Sequence, residues 1–339
     1  VTESPGSVIA ELCRLATPGA IDETRVVALG GVPQVVSIRG RDRRNPIMIV
    51  VHGGPGTPLS ATSWMWQRPL EEYFTVVQYD QRGAGRSFQH DDSAALRGAL
   101  SLDHCARDAV ELAELIKGEF EVEQVCLVGH SWGSAVAARA VLLRPDLFAA
   151  YLGVCQVVSG VLGEEASWSW VRAEAERRDD RTALAELAGI APYPRPFEVS
   201  KLIIQRRWVE RFGGVAAGRA DGPYFTNGDL AAPDYSDADR ASSRAGRAFL
   251  ADHLLPQFID LDFTQVHEFP IPIIQFLGRH DQVTPTGPVI DWLNRLEAPA
   301  KIVTWFEDSA HLPMYEQPGR FLVAVLQHLL PYAPGPSPR

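Results

Sequence analysis

The chain is short of the features that mark several functional classes. Its four cysteines, Cys13, Cys105, Cys126 and Cys155, form no Cys-x-x-Cys pair among 339 residues, so zinc and thioredoxin-like chemistries have no motif to rest on. Cys126 and Cys155 stand in apolar runs and read as small core residues. No apolar run approaches the ~20 residues of a membrane span. No basic segment followed by an apolar one opens the chain, so no secretory signal is read there. Basic charge is in the minority, 32 Lys and Arg against 42 Asp and Glu, the reverse of what a nucleic-acid binder carries. Repeats are missing, and low complexity is confined to the Pro-rich end after Tyr332. The expectation is a protein of a reducing, cytoplasmic compartment with no nucleic-acid or membrane partner. The first residue is Val1, which leaves a removed leader open, and oligomeric state has no signature.

What is present is an alternation of apolar runs with amphipathic stretches. Pro46–Val51 is a continuous apolar run of strand length, and Thr75–Tyr79, Val125–Val128 and Tyr151–Val154 read as further strands, as expected for strands buried on both faces of a sheet. Arg25–Leu29 and Gln34–Arg39 flank a Gly-rich turn and read as a hairpin. Residues 62–73 read as a helix, and Ser101 caps another that stops near Gly118. From Val158 to Phe269 strand runs vanish and helical, aromatic- and charge-rich pieces take over, with a loop-like stretch over Gly213–Asp239. Strands resume at Ile271–Leu277 and Lys301–Phe306. The predicted architecture is α/β, a mostly parallel sheet with helices on both faces. Residues 1–157 and 270–339 form the core, and 158–269 an inserted helical cap.

The chemistry centres on Gly129-His-Ser-Trp-Gly133, between the run at Val125 and an Ala-rich helical stretch. Strand, Gly-x-Ser-x-Gly and helix in this order specify a sharp turn that exposes a serine, here Ser131, as a nucleophile. Such a serine needs a base and a group to orient it, following in the order Ser, acid, His. Asp281 follows the strand at 271–277, and His311 follows the strand at 301–306. Both fall where catalytic residues of open sheets gather, at the carboxyl ends of strands. Their neighbours His280 and Asp308 are the competing choices. The oxyanion donors are expected to be the backbone N–H groups of Trp132 and of Gly54, in His52-Gly-Gly-Pro-Gly56. His52 itself reads as a loop brace. The Gly-rich loop lacks the Lys-Ser/Thr of a phosphate loop and the spacing of a dinucleotide fingerprint. No cofactor or metal is called for.

Five motifs in order, His52-Gly-Gly-Pro-Gly56, Asp80-Gln-Arg-Gly-Ala-Gly-Arg-Ser87, Gly129-His-Ser-Trp-Gly-Ser134, Gly278-Arg-His-Asp281 and His311-Leu-Pro-Met-Tyr-Glu316, resemble the proline iminopeptidase family of α/β-hydrolases. The resemblance spans roughly residues 25–155 and 270–330. It implies an α/β-hydrolase fold with a helical cap over a Ser-Asp-His site, no cofactor, and release of an N-terminal residue, often proline, from a small peptide. It supports Ser131, Asp281 and His311 as a triad with Gly54 and Trp132 as oxyanion donors, and gives Asp80 and Arg82 a bracing role. The chain departs from the family in the cap. The Trp-x-x-Trp-Glu motif, whose glutamate binds the substrate's amine, is missing. Gln156, Glu164, Glu165 and Glu210 are the candidates to replace it, since a desolvated ammonium needs a partner. An esterase, lactonase or amidase acting on a small-molecule metabolite is the rival reading, and a non-catalytic binding protein on the same fold the reading from another class.

Overall fold

The computed structural model describes residues 5–91 and 93–335. Eight strands, β1 (Ile21–Leu29), β2 (Val32–Gly40), β3 (Ile47–Val51), β4 (Thr75–Asp80), β5 (Val125–His130), β6 (Phe148–Val154), β7 (Ile273–Gly278) and β8 (Lys301–Phe306), form one sheet. Their order is β1-β2-β4-β3-β5-β6-β7-β8. β1 and β2 form the expected hairpin, and β2 runs antiparallel to β4. All other neighbours are parallel. The α/β architecture read from the sequence is the one observed.

The sheet is a layer between two helical layers, and strand periodicity explains why. Successive side chains of a strand point to opposite faces. In β3, Ile47, Ile49 and Val51 join the core beneath the helices Leu102–Phe120 and Trp132–Leu143. Met48 and Val50 join Trp66, Leu70 and Phe321 on the other face. Each of the five is buried, worth roughly 1.5–3 kcal/mol against exposure, while ordering each residue's backbone costs about 1–2 kcal/mol. A strand covered on both sides therefore needs the unbroken apolar run the sequence carries.

Two expectations change. Residues 62–73 are not one helix but two short 3₁₀ turns, Ser60–Met65 and Leu70–Glu72. Pro69 lies between them, and proline removes a helix hydrogen bond. The stretch from 213 to 239 holds a short helix, Pro223–Thr226, and a 3₁₀ turn, Gly228–Ala231.

Between β6 and β7 the named elements are helical, principally Gly160–Arg177, Arg181–Gly189, Val199–Arg211 and Asp237–His253. This segment rests on the carboxyl ends of the strands. Gln282 N–H donates to Gly214 O and His311 N–H to Val215 O, each at 3.0 Å. Ser167 Oγ donates to Gln282 O at 2.5 Å.

Candidate active site

β3 and β5 are neighbours, yet the chain passes from β3 to β4 on the other side. At such a switch point the loops leaving two adjacent strands diverge and open a crevice. Ser131 sits there, directly after β5. Its backbone is at φ 54°, ψ −124°, a conformation L-residues rarely adopt and one that turns the strand into the following helix within a single residue. The flanking glycines are required by space. A Cβ on Gly133 would lie 2.2 Å from Val51 O, and one on Gly129 2.4 Å from Gly133 O. The β3 loop closes against the same point, with Gly53 tight against the Ser131 side chain. Gly54 next to it is at φ 118°, and Trp132 N–H opens the helix.

Asp281 and His311 come together as the sequence predicts. His311 Nδ1 is 2.9 Å from Asp281 Oδ2. The carboxylate is built into its loop: Val283 N–H and Thr284 N–H donate to Oδ1, each at 2.9 Å. Thr284 Oγ donates to Oδ2 at 2.7 Å. Burial alone would raise the Asp281 carboxyl; the facing imidazole's charge and hydrogen bond and the Thr284 donors outweigh it and hold the group below the usual carboxylate range. With Nδ1 engaged, Nε2 is the nitrogen of His311 left for proton transfer. Ser131 and His311 are 8% and 7% exposed, so both sit at the floor of the site and not in open solvent. His280 and Asp308, the competing choices, are exposed.

Three residues not singled out as site candidates support this geometry. Thr284 locks the acid, and its signal was an Asp-x-x-Thr spacing at the end of β7. His130 packs its ring against His311 at 5.0 Å, and its Nε2 meets His311 O at 2.9 Å. Burial, with the neighbouring imidazole, lowers its pKa to about 3, so it stays neutral beside His311. Gln81 joins three loops: its N–H donates to His52 Nε2 at 3.0 Å, its amide to His52 O at 2.7 Å, and the Trp132 indole donates to its Oε1 at 3.2 Å. His52 thus braces the β3 loop. Asp80 accepts from Ser60 Oγ and Arg86 N–H, and Arg82 is ion-paired to Asp108.

The four residues put forward for substrate binding are placed differently from one another. Gln156 is buried in the core, accepting from Tyr151 Oη at 2.5 Å and donating to Val157 O at 2.7 Å. Glu164 is buried and ion-paired to Arg206, and it accepts from Tyr193 Oη. Arg206 reaches Val283 O at 3.4 Å, which brings this cluster to the Asp281 loop. Glu165 is exposed and Glu210 half-buried. Among the described residues, no hydrogen bond or ion pair joins either to Ser131, Asp281 or His311.

His130, Cys155 and His311 place one ligand atom each within 4.8 Å of one another. Each imidazole already uses a ring nitrogen on a neighbour, and burial pushes the Cys155 thiol up. Packing around His311 accounts for the cluster. All four cysteines are free and buried. Among the described residues no helix is long and apolar enough to cross a membrane.

A strained serine between a strand and a helix, with an Asp–His pair on the loops of later strands, defines a class. The profile of the alpha/beta hydrolase family matches residues 48–325, and the chain belongs to that family. It is 30% identical over 306 residues to the probable aminopeptidase YbaC of Bacillus subtilis (strain 168), covering 89% of this chain and 94% of that one. It is 27% identical over 290 residues to the proline iminopeptidase of Heyndrickxia coagulans, covering 82% and 88%. The crystal structure of a proline iminopeptidase-related protein from Thermus thermophilus superposes with a TM-score of 0.63 at 22% identity, covering 92% of this chain and 99% of that one. The family resemblance drawn from the five motifs holds.

Proposed function

We propose that this hydrolase is a serine aminopeptidase of the proline iminopeptidase type, releasing an N-terminal residue from small peptides or amides through an acyl-enzyme. The observation that carries it is the Asp281–His311 pair at 2.9 Å, on loops that meet the strained Ser131 turn. His311 Nε2 takes the Ser131 proton as Oγ attacks the carbonyl carbon. The developing oxyanion accepts from the N–H groups of Gly54 and Trp132. Asp281 holds the tautomer and stabilises the imidazolium, and His311 returns the proton to the leaving amine. Water then enters on the same base and frees the acid. The aminopeptidase and proline iminopeptidase names of the relatives support the substrate class. Residues 158–269 serve as the cap.

One observation favours the rival acyl substrate, an ester, lactone or non-peptide amide. Glu164, the buried carboxylate nearest the acid loop among the four candidates, is already satisfied by Arg206 and Tyr193 and offers little to an incoming ammonium. Turnover of L-prolyl- and L-alanyl-naphthylamides, of their N-acetylated forms and of p-nitrophenyl esters separates the two. Preference for the free-amine amides is expected. Equal turnover of the N-acetylated forms overturns the aminopeptidase reading and leaves the serine mechanism. Failure of a fluorophosphonate to label Ser131 in folded protein overturns the mechanism itself.

A further inference from the structure

The motif that begins at His311 ends on a carboxylate for which the reaction has no use. Glu316 closes the short helix Pro313–Glu316 and is half-buried. Its two oxygens are divided between two parts of the molecule. Oε2 accepts at 2.8 Å from the N–H of Ala310, the residue before His311. Oε1 accepts at 2.5 Å from the N–H of Ala217, in the inserted segment. Burial raises the carboxyl above its ordinary value even against these donors, so the ionised form is kept there at a cost. Ala217 belongs to a strap, residues 213–218, laid over the loops of Asp281 and His311. The strap begins and ends on glycines in the left-handed region, Gly213 at φ 89° and Gly218 at φ 67°. Between them, Gly214 O accepts from Gln282 N–H and Val215 O from His311 N–H, each at 3.0 Å. The approach is close, since a Cβ on Gly214 would lie 2.7 Å from the Gln282 side chain.

The strap therefore touches the residue after Asp281 and His311 itself, and Glu316 fastens its far end to the His311 loop. A carboxylate suits this place because it accepts at both oxygens. A glutamine accepts at one, and its NH2 would face the other N–H. The geometry points to Glu316 as a positioning residue: through Ala310 and Ala217 it holds the His311 loop against the inserted segment and keeps the imidazole in reach of Ser131. It touches no reacting atom. The inference rests on the serine mechanism proposed above and adds a group through which the insertion acts on His311.

The test combines labelling by a fluorophosphonate, which needs an activated serine and no knowledge of the substrate, with hydrogen exchange of the full chain read by mass spectrometry. In Glu316→Gln the limiting rate of Ser131 labelling should fall about 10-fold, within the ~10²-fold that a small misplacement can cost. The half-saturating concentration should not move. Glu316→Ala, which keeps neither acceptor, should lose more. Amides of residues 213–218 and 308–312 should exchange roughly 10-fold faster in both variants, as the loss of a charge-assisted hydrogen bond implies. Glu307→Gln, which removes an exposed carboxylate paired to Arg279, should change neither readout. Exchange that stays at the wild-type rate in both segments overturns the proposal. Faster exchange with the limiting rate intact makes Glu316 scaffold, and an effect confined to the half-saturating concentration assigns it to ligand entry; both overturn it. Wild-type protein that takes no label overturns the serine mechanism and this inference with it, whereas equal labelling of wild type and Glu316→Gln overturns this inference alone.

Discussion

Two buried ion pairs flank the candidate site, and they are built for different jobs. Arg82 and Asp108 are each 1% exposed. Gln34 donates to the same carboxylate at 2.7 Å and Arg82 Nη1 to Ala99 O at 2.8 Å. Every partner belongs to the sheet or to the helix and loops against it. Arg206 and Glu164 are 22% and 1% exposed and join two helices of the inserted segment. Here one more bond leaves the pair, to Val283 O, and Val283 N–H holds Asp281. The first pair fixes the platform under the site. The second passes the position of the insertion on to the acid. Identical chemistry should therefore register as stability in one region and as rate in the other.

Substitutions can break that contrast. Ser131→Ala sets the scale, with an expected loss on the order of 10⁴ or more in kcat and an unchanged denaturation midpoint; surviving turnover would remove the elbow from the mechanism. Asp108→Ala leaves Arg82 buried and unpaired, which typically costs about 3–5 kcal/mol. Urea titration should show that loss while kcat per folded molecule stays put, and a fall in kcat would erase the distinction between the pairs. Arg206→Met should do the opposite. A roughly 10-fold drop in kcat is expected, within the ~10²-fold that a misplacement of about 1 Å can cost. Its stability loss should be smaller than that of Asp108→Ala, because Tyr193 still donates to Glu164. Loss of stability with kcat intact would make the second pair mere scaffold.

The smallest effect concerns Asp91, near the Arg82 pair. Burial, against the Gly83 N–H that donates to it, raises its carboxyl from 3.8 to about 6. The folded state then holds the proton more tightly than the unfolded one. Stability falls as pH rises from about 4 to about 6 and is level above. Asp91→Asn should gain stability at pH 7 over wild type and gain none near pH 3.5. The gain should stay within about 0.5 kcal/mol, because the group is partly solvated. An equal effect at both pH values would assign the change to packing and not to charge.

The sheet and the candidate triad are legible in the sequence because each rests on a local signature. β3 and β5 are unbroken apolar runs, Ser131 is framed by two obligatory glycines, and Asp281 and His311 each follow a strand. The insertion is legible only in outline. Its first long helix begins at Gly160, although glycine is a poor helix former. The fold demands it there: a Cβ would lie 2.2 Å from Phe258 O, a contact with a residue nearly a hundred positions away. Glu164 and Arg206 meet across 42 residues, with no periodicity to announce it. The helix at Leu102 runs on to Phe120 past Gly118 and ends where Glu121 takes the left-handed conformation. Local rules see caps and periods, while these choices are made by tertiary neighbours.

The twisted backbone at Ser131 also narrows what can replace it over evolutionary time. At φ 54° a β-branched side chain meets its own main chain. Threonine, the residue closest to serine in chemistry, is therefore the wrong shape for the post. Cysteine, unbranched at Cβ, fits the turn and brings a different nucleophile. Drift at this position has a path toward a thiol and none toward a secondary alcohol, and the gate is conformational and not chemical.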